Sequence, residues 1–142
     1  MPFGEYQYHL DDKGRVVIPV AFREFIAEGV VITRGFEGCL YLYPPLIWQQ
    51  MVALLEKTSL IDGEARQFIR FFYSGASQVE MDNSYRISLS SPLRRFADLE
   101  HSVVFAGAPH RLELWSESHW LSTISQLHQE PPMPVSLKEL LG

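Results

Sequence analysis

The sequence has a single cysteine, Cys39, so no disulfide can form within the chain. Its apolar neighbours (CLYLY) point to a buried small hydrophobe rather than a nucleophile. No apolar run approaches the ~18 residues of a membrane span and no signal peptide is visible, so a soluble cytoplasmic protein is expected. Positive charge is scarce as well. Twelve Lys and Arg stand against seventeen Asp and Glu, and the net charge of −5 argues against coating nucleic acid through bulk charge. A local basic patch remains compatible with that balance. Catalytic signatures are missing too: His9, His101, His110, His119 and His128 show no metal-ligand spacing, and there is no GxSxG, Walker-type loop or GxGxxG. Without a constellation of site residues an enzyme is not expected, nor a metal or cofactor.

What the chain does contain is a repetition. A shift of 71 places Asp11 on Asp82, Arg15 on Arg86, Phe22 on Leu93 and Arg23 on Arg94. After small gaps, "VVI" at 30–32 meets "VVF" at 103–105, and Trp48 meets Trp120. The agreement spans roughly 4–57 and 75–128.

Each copy has the same predicted order. Residues 5–10 and 76–81 read as strands entering a charged loop, with 16–18 and 87–89 as strands leaving it. "VAFREFIAEG" is predicted as a short helix stopped by Gly29, and Pro92 marks the start of its counterpart. Strand pairs 30–34 with 39–43 and 102–106 with 111–115 follow as hairpins. A longer helix closes each copy, carried by Ile47, Trp48, Met51 and Leu55 in the first and by Trp120, Leu121 and Ile124 after the cap Ser116 in the second. A connecting helix capped by Asp62 is expected at about 62–74. Residues 129–142 read as a proline-rich linker and a short terminal helix with a Ser136–Glu139 capping box. Halves of about 50 residues would be marginal alone, so they are expected to interleave in one domain over 1–128 with a single barrel-like α+β core.

The repeated loop is Asp-x-x-x-Arg, as "DDKGR" at 11–15 and "DNSYR" at 82–86. A purely architectural role is available: Asp accepts backbone hydrogen bonds from its own turn and pairs with the Arg, a contact worth about 0–1 kcal/mol when exposed. A binding role is available as well. Gly14 permits a tight turn, and Lys13 and Arg15 flank it on a tip suited to phosphates or guanine edges.

The stretches "MPFGEYQYHLDDKGRVVIPVAFRE", "VVITRGFEGCLYLYP" and "RLELWSESHW" resemble the bacterial MraZ proteins over about residues 1–128, with both charged loops in place. The resemblance implies a fold related to the AbrB swapped-hairpin barrels. It also implies a cytoplasmic, nucleoid-associated regulator of the division and cell-wall gene cluster. Such a protein would bind short direct repeats of double-stranded DNA in its own promoter, as a ring-shaped homo-oligomer. Carried over residue by residue, the family motif falls on Asp11 and Arg15 and on Asp82 and Arg86. The DNA-binding residues expected are therefore Lys13, Gly14, Arg15 and Arg86, with Asp11, Asp82 and Asn83 structuring the loops. The second loop departs from the pattern, with Tyr85 where the family usually has glycine. A bulky residue is costly at positive φ, so that loop is expected to turn at Asn83 and to serve as scaffold or subunit contact. The alternative from another class is a non-enzymatic oligomeric protein-interaction module whose charged loops are structural.

Overall fold

The computed structural model describes residues 1–58, 61–127 and 131–142. Strands β1 (Glu5–His9) and β2 (Arg15–Val17) flank the first charged loop. A 3₁₀ turn at Val20–Phe22 leads to the hairpin β3 (Val30–Arg34) and β4 (Leu40–Tyr43), followed by helix α1 (Pro45–Glu56). Helix α2 (Gly63–Phe72) precedes the second copy, β5 (Ser77–Val79), β6 (Arg86–Ser88), α3 (Ser91–Phe96), β7 (Ser102–Ala108), β8 (Arg111–Ser116) and α4 (Glu117–Ser125). Helix α5 (Val135–Leu141) comes last, with every residue from 131 to 142 exposed.

The strands form a six-stranded antiparallel sheet, β1-β7-β8-β4-β3-β5, and a separate ribbon, β2-β6. The sheet does not close on itself; the ribbon completes the enclosure by adding Val16 and Ile87 to the core. Pairing crosses between copies at each end. β1 lies on β7 with Tyr6 opposite Phe105, and β5 lies on β3 with Ser77 opposite Ile32, the equivalent register one repeat on. The centre is the β4–β8 pair, Tyr41 opposite Glu113. Neither half has a complete sheet of its own.

Alternation along the strands divides the apolar residues between two layers. Leu40, Leu42, Leu112 and Leu114 face the main core and are fully buried. Tyr41, Tyr43 and Trp115 face outward, beneath Trp48 of α1, Phe68 and Phe72 of α2, and Trp120 of α4. Cys39 belongs to this outer layer, 1% exposed, and burial pushes its thiol up to about 12, so it behaves as an inert hydrophobe.

Local caps explain where the copies differ. Ser90 accepts from the Leu93 N–H and starts a regular α-helix at Ser91. Its counterpart Pro19 offers no side-chain acceptor, and the helix predicted from Val20 to Gly29 reduces to one 3₁₀ turn followed by looser turns. Helix α2 has Asp62 as cap, bonded to the Glu64 N–H, and Ser116 caps α4 through the His119 N–H. The expected capping box at Ser136 does not form. Helix α5 begins two residues earlier than that box requires, with Pro134 at the N-cap, and leaves Ser136 inside the first turn.

Candidate nucleic-acid interface

Both charged loops are built the same way, bond for bond. In the first, Asp11 Oδ1 accepts from the Lys13 and Arg15 backbone N–H groups, each at 2.9 Å, and Oδ2 accepts from Arg15 Nε at 2.7 Å. In the second, Asp82 Oδ1 accepts from Ser84 N–H at 2.8 Å and Arg86 N–H at 2.9 Å, and Oδ2 from Arg86 Nε at 2.9 Å. Backbone bonds close each turn, Gly14 N–H to Asp11 C=O and Tyr85 N–H to Asp82 C=O. The Arg15 backbone N–H, followed by its side chain and the Lys13 N–H, holds the Asp11 carboxyl below its ordinary range despite some desolvation. Asp82 is lowered in the same way, first by the Arg86 backbone N–H.

The fourth loop residue has positive φ in both copies, +75° at Gly14 and +59° at Tyr85. This corrects the expectation that the second loop turns at Asn83. Three hydrogen bonds to one carboxylate fix the path of the turn, and the residue at position 85 adopts the left-handed region whatever its side chain. Asn83 is exposed and among the described residues does not have positive φ.

The loops meet in the ribbon. Arg15 is opposite Ser88, Val16 opposite Ile87 and Val17 opposite Arg86, and the flanking bonds run from Ile18 N–H to Tyr85 C=O and from Leu89 N–H to Gly14 C=O. A shift of one repeat exchanges the two sides, so a local pseudo-twofold axis passes between Val16 and Ile87. Both central residues point into the core, which leaves Arg15, Val17, Arg86 and Ser88 on the outward face. The Arg15 and Arg86 side chains are 27% and 31% exposed, and each is tied to its aspartate through Nε. Each guanidinium keeps its four terminal N–H donors, unbonded among the described residues, for a bidentate ligand.

Two further arginines belong to this surface and escaped the sequence reading. Arg23 donates Nε–H to the Ile18 carbonyl at 2.9 Å, and its equivalent Arg94 donates to the Leu89 carbonyl at 3.1 Å. Arg23 lies over the Tyr85 ring, 4.2 Å from its centre, while Arg94 packs against Gly14 so closely that a Cβ there would fall 2.8 Å from the guanidinium carbon. The available signal was the coincidence of Arg23 with Arg94 in the repeat. Among the described residues neither forms an ion pair, nor do Lys13 and Arg95. Six of the twelve basic residues (Lys13, Arg15, Arg23, Arg86, Arg94 and Arg95) therefore sit on the first charged loop, the ribbon or the segments directly after its strands. Arg111, by contrast, is engaged on the opposite layer by Glu113 at 2.8 Å and stacked on Tyr41. No helix among the described residues is long and apolar enough to cross a membrane.

Comparison with known proteins agrees with the duplication. The family profile described as "MraZ protein, putative antitoxin-like" matches residues 1–71 and again 72–136. Proteins named transcriptional regulator MraZ from two strains of Thermus thermophilus are each 53% identical over 144 positions, covering all of both chains. That of Deinococcus radiodurans is 52% identical over 134 positions, 94% of each chain. Matched twice by the family profile and along its full length by these relatives, the chain belongs to the MraZ family.

Proposed function

We propose that this chain is a transcriptional regulator and not an enzyme, and that it binds double-stranded DNA through the outward face of the β2–β6 ribbon. The observation that carries the reading is the placement of Arg15 and Arg86, from different repeats, on one face, each braced by its own aspartate. Braced guanidinium groups suit guanine O6 and N7 or a phosphate, and Lys13, Arg23 and Arg94 extend the positive surface around them. The names of the full-length relatives support the same conclusion.

The targets we propose are short direct repeats in the promoter of the protein's own gene, within the division and cell-wall cluster. A ring of subunits reconciles such binding with a net charge of −5. Each subunit presents one basic ribbon, and joining several weak contacts raises avidity by about 10²–10⁴ when their spacing matches the DNA. The acidic remainder suppresses attachment to arbitrary sequence.

Fluorescence anisotropy against the DNA directly upstream of the gene, at fixed salt, tests this reading. Arg15→Ala is expected to cost about 1–3 kcal/mol per engaged base contact and to relax preference at that base. If Arg15 holds only phosphate, the loss is uniform over sequences and the salt slope drops by about one. The matching hydrogen-bond frames of the two loops support a measurable loss for Arg86→Ala as well, and a loss smaller than for Arg15→Ala is the outcome expected if Tyr85 makes the second loop mainly scaffold or subunit contact. Affinity no greater than for an unrelated duplex would sink the proposal in favour of a protein-interaction module.

A further inference from the structure

The ribbon is twofold in its backbone but not in its side chains, and we propose that this makes its DNA-contacting face directional. In this proposal Gly14 and Tyr85 are specificity-determining positions that seat a subunit on a DNA segment in one orientation. The inference rests on the DNA-binding reading above.

The symmetric part is the frame. The registers of β2 and β6, the three bonds to each aspartate, and the Nε bonds of Arg23 and Arg94 all exchange under the axis between Val16 and Ile87. Local twofold axes also relate the two strands of a duplex. A ribbon with identical ends would therefore dock equally well turned end for end.

Three differences remove that equivalence. At the Gly14 end the turn has no side chain, and the Arg94 guanidinium lies directly on it, held also by Ser91 Oγ at 3.0 Å. At the other end the Tyr85 ring, 48% exposed, lies between the turn and Arg23. Lys13 corresponds to Ser84 in the repeat, so one tip carries an added cation and the other does not. Gly14 itself is buried beneath Arg94, so this end presents two cations, Lys13 and Arg94, with no ring between them and the turn, and is suited to phosphate. The Tyr85 end presents an aromatic edge backed by one guanidinium, suited to apolar contact with a thymine methyl or a sugar. Turning the subunit around would put the ring where phosphate belongs and the bare cations against apolar groups. A mismatch of one such contact corresponds to about 5–150-fold between the two orientations.

The test is a tethered cleavage experiment on the full chain. Asp12, exposed in the first loop, is changed to Cys and carries an iron chelate that generates hydroxyl radicals. Cys39 is 1% exposed, so attachment is selective for position 12. The protein, labelled at low stoichiometry, is bound to a short duplex with one segment footprinted from the upstream DNA. Cleavage on one flank is expected, in a ratio of at least about fivefold. Combining S84K with Y85G makes the second loop match the first at both positions and is expected to bring the flank ratio to about one while binding persists. Tyr85→Phe, which keeps the ring, is expected to preserve the one-sided pattern. Two-flank cleavage with the native loops, or one-flank cleavage surviving the symmetrised loop, would overturn directionality while leaving DNA binding intact. Failure of the unlabelled native protein to retain the duplex at all would refute the underlying reading and the inference with it.

Discussion

Asp11 and Asp82 each collect two backbone N–H groups and one guanidinium, and this small frame decides most of what the loops do. Because both carboxyls are lowered on folding, their contribution is complete above the unfolded value of about 3.9 and is lost only as pH falls through the lower folded value. Carbon-13 titration of the side-chain carboxyls should therefore find both ionised throughout the neutral range. Arg15→Ala should raise the Asp11 midpoint only part of the way to normal, since the largest cause, the Arg15 backbone N–H, survives the change. The spacing Asp-x-x-x-Arg made these loops legible in the sequence. Tyr85 was not legible, because residue preference favoured Asn83 for the left-handed turn while the carboxylate frame demands it two residues later. Its cost is modest. Left-handed backbone strain of about 1–2 kcal/mol is partly offset by a cation–π contact with Arg23 of about 0.5–1 kcal/mol. Urea denaturation of Tyr85→Gly is thus expected to stay within about 1 kcal/mol of the native protein.

At the scale of elements, the ribbon is held to the body by its inner face. Ile87→Ala removes a fully buried side chain and should cost about 2–5 kcal/mol in denaturant unfolding. Gly107→Ala acts near the end of β7, where the N-terminal segment crosses it and the new Cβ would lie 2.5 Å from the Phe3 Cα and 2.7 Å from the Pro2 carbonyl carbon. Backbone cannot rotate aside as a side chain can, so about 1–3 kcal/mol of destabilisation is expected, visible as a lowered Tm. The strands and long helices were readable because β4, buried on both faces, is a short continuous apolar run, while α1 carries a single apolar stripe packed on one side. The 3₁₀ turn after Pro19 was not, since apolar spacing alone does not report a missing cap. The ribbon itself was also hidden: its strands are three residues long, and pairing between residues 15–17 and 86–88 leaves no local pattern.

The whole molecule depends on exchange between the copies. With β1 on β7, β5 on β3, and β4 on β8, a fragment ending before β5 has no partner for its first strand. Residues 1–58 and 75–142 expressed separately are expected to lack a cooperative melting transition by circular dichroism, and mixing them should restore one. Native folding in either isolated half would contradict the shared core. The repeat announced this interdependence, because two small halves cannot each bury enough surface, although which strands cross could be read only from the register.

That exchange also sets a clock on biosynthesis. Strand β1 leaves the ribosome early, yet its partner β7 lies about a hundred residues downstream. At roughly 5–20 residues per second, the N-terminal strand waits about 5–20 s before the segment that covers it emerges. The first repeat spends that interval with its Asp-x-x-x-Arg loop synthesised but no β6 to pair with β2. Nascent chains on neighbouring ribosomes of one message expose the same half at the same time. A second copy's β7 can then satisfy β1 as well as its own, so crowded translation favours intertwined products.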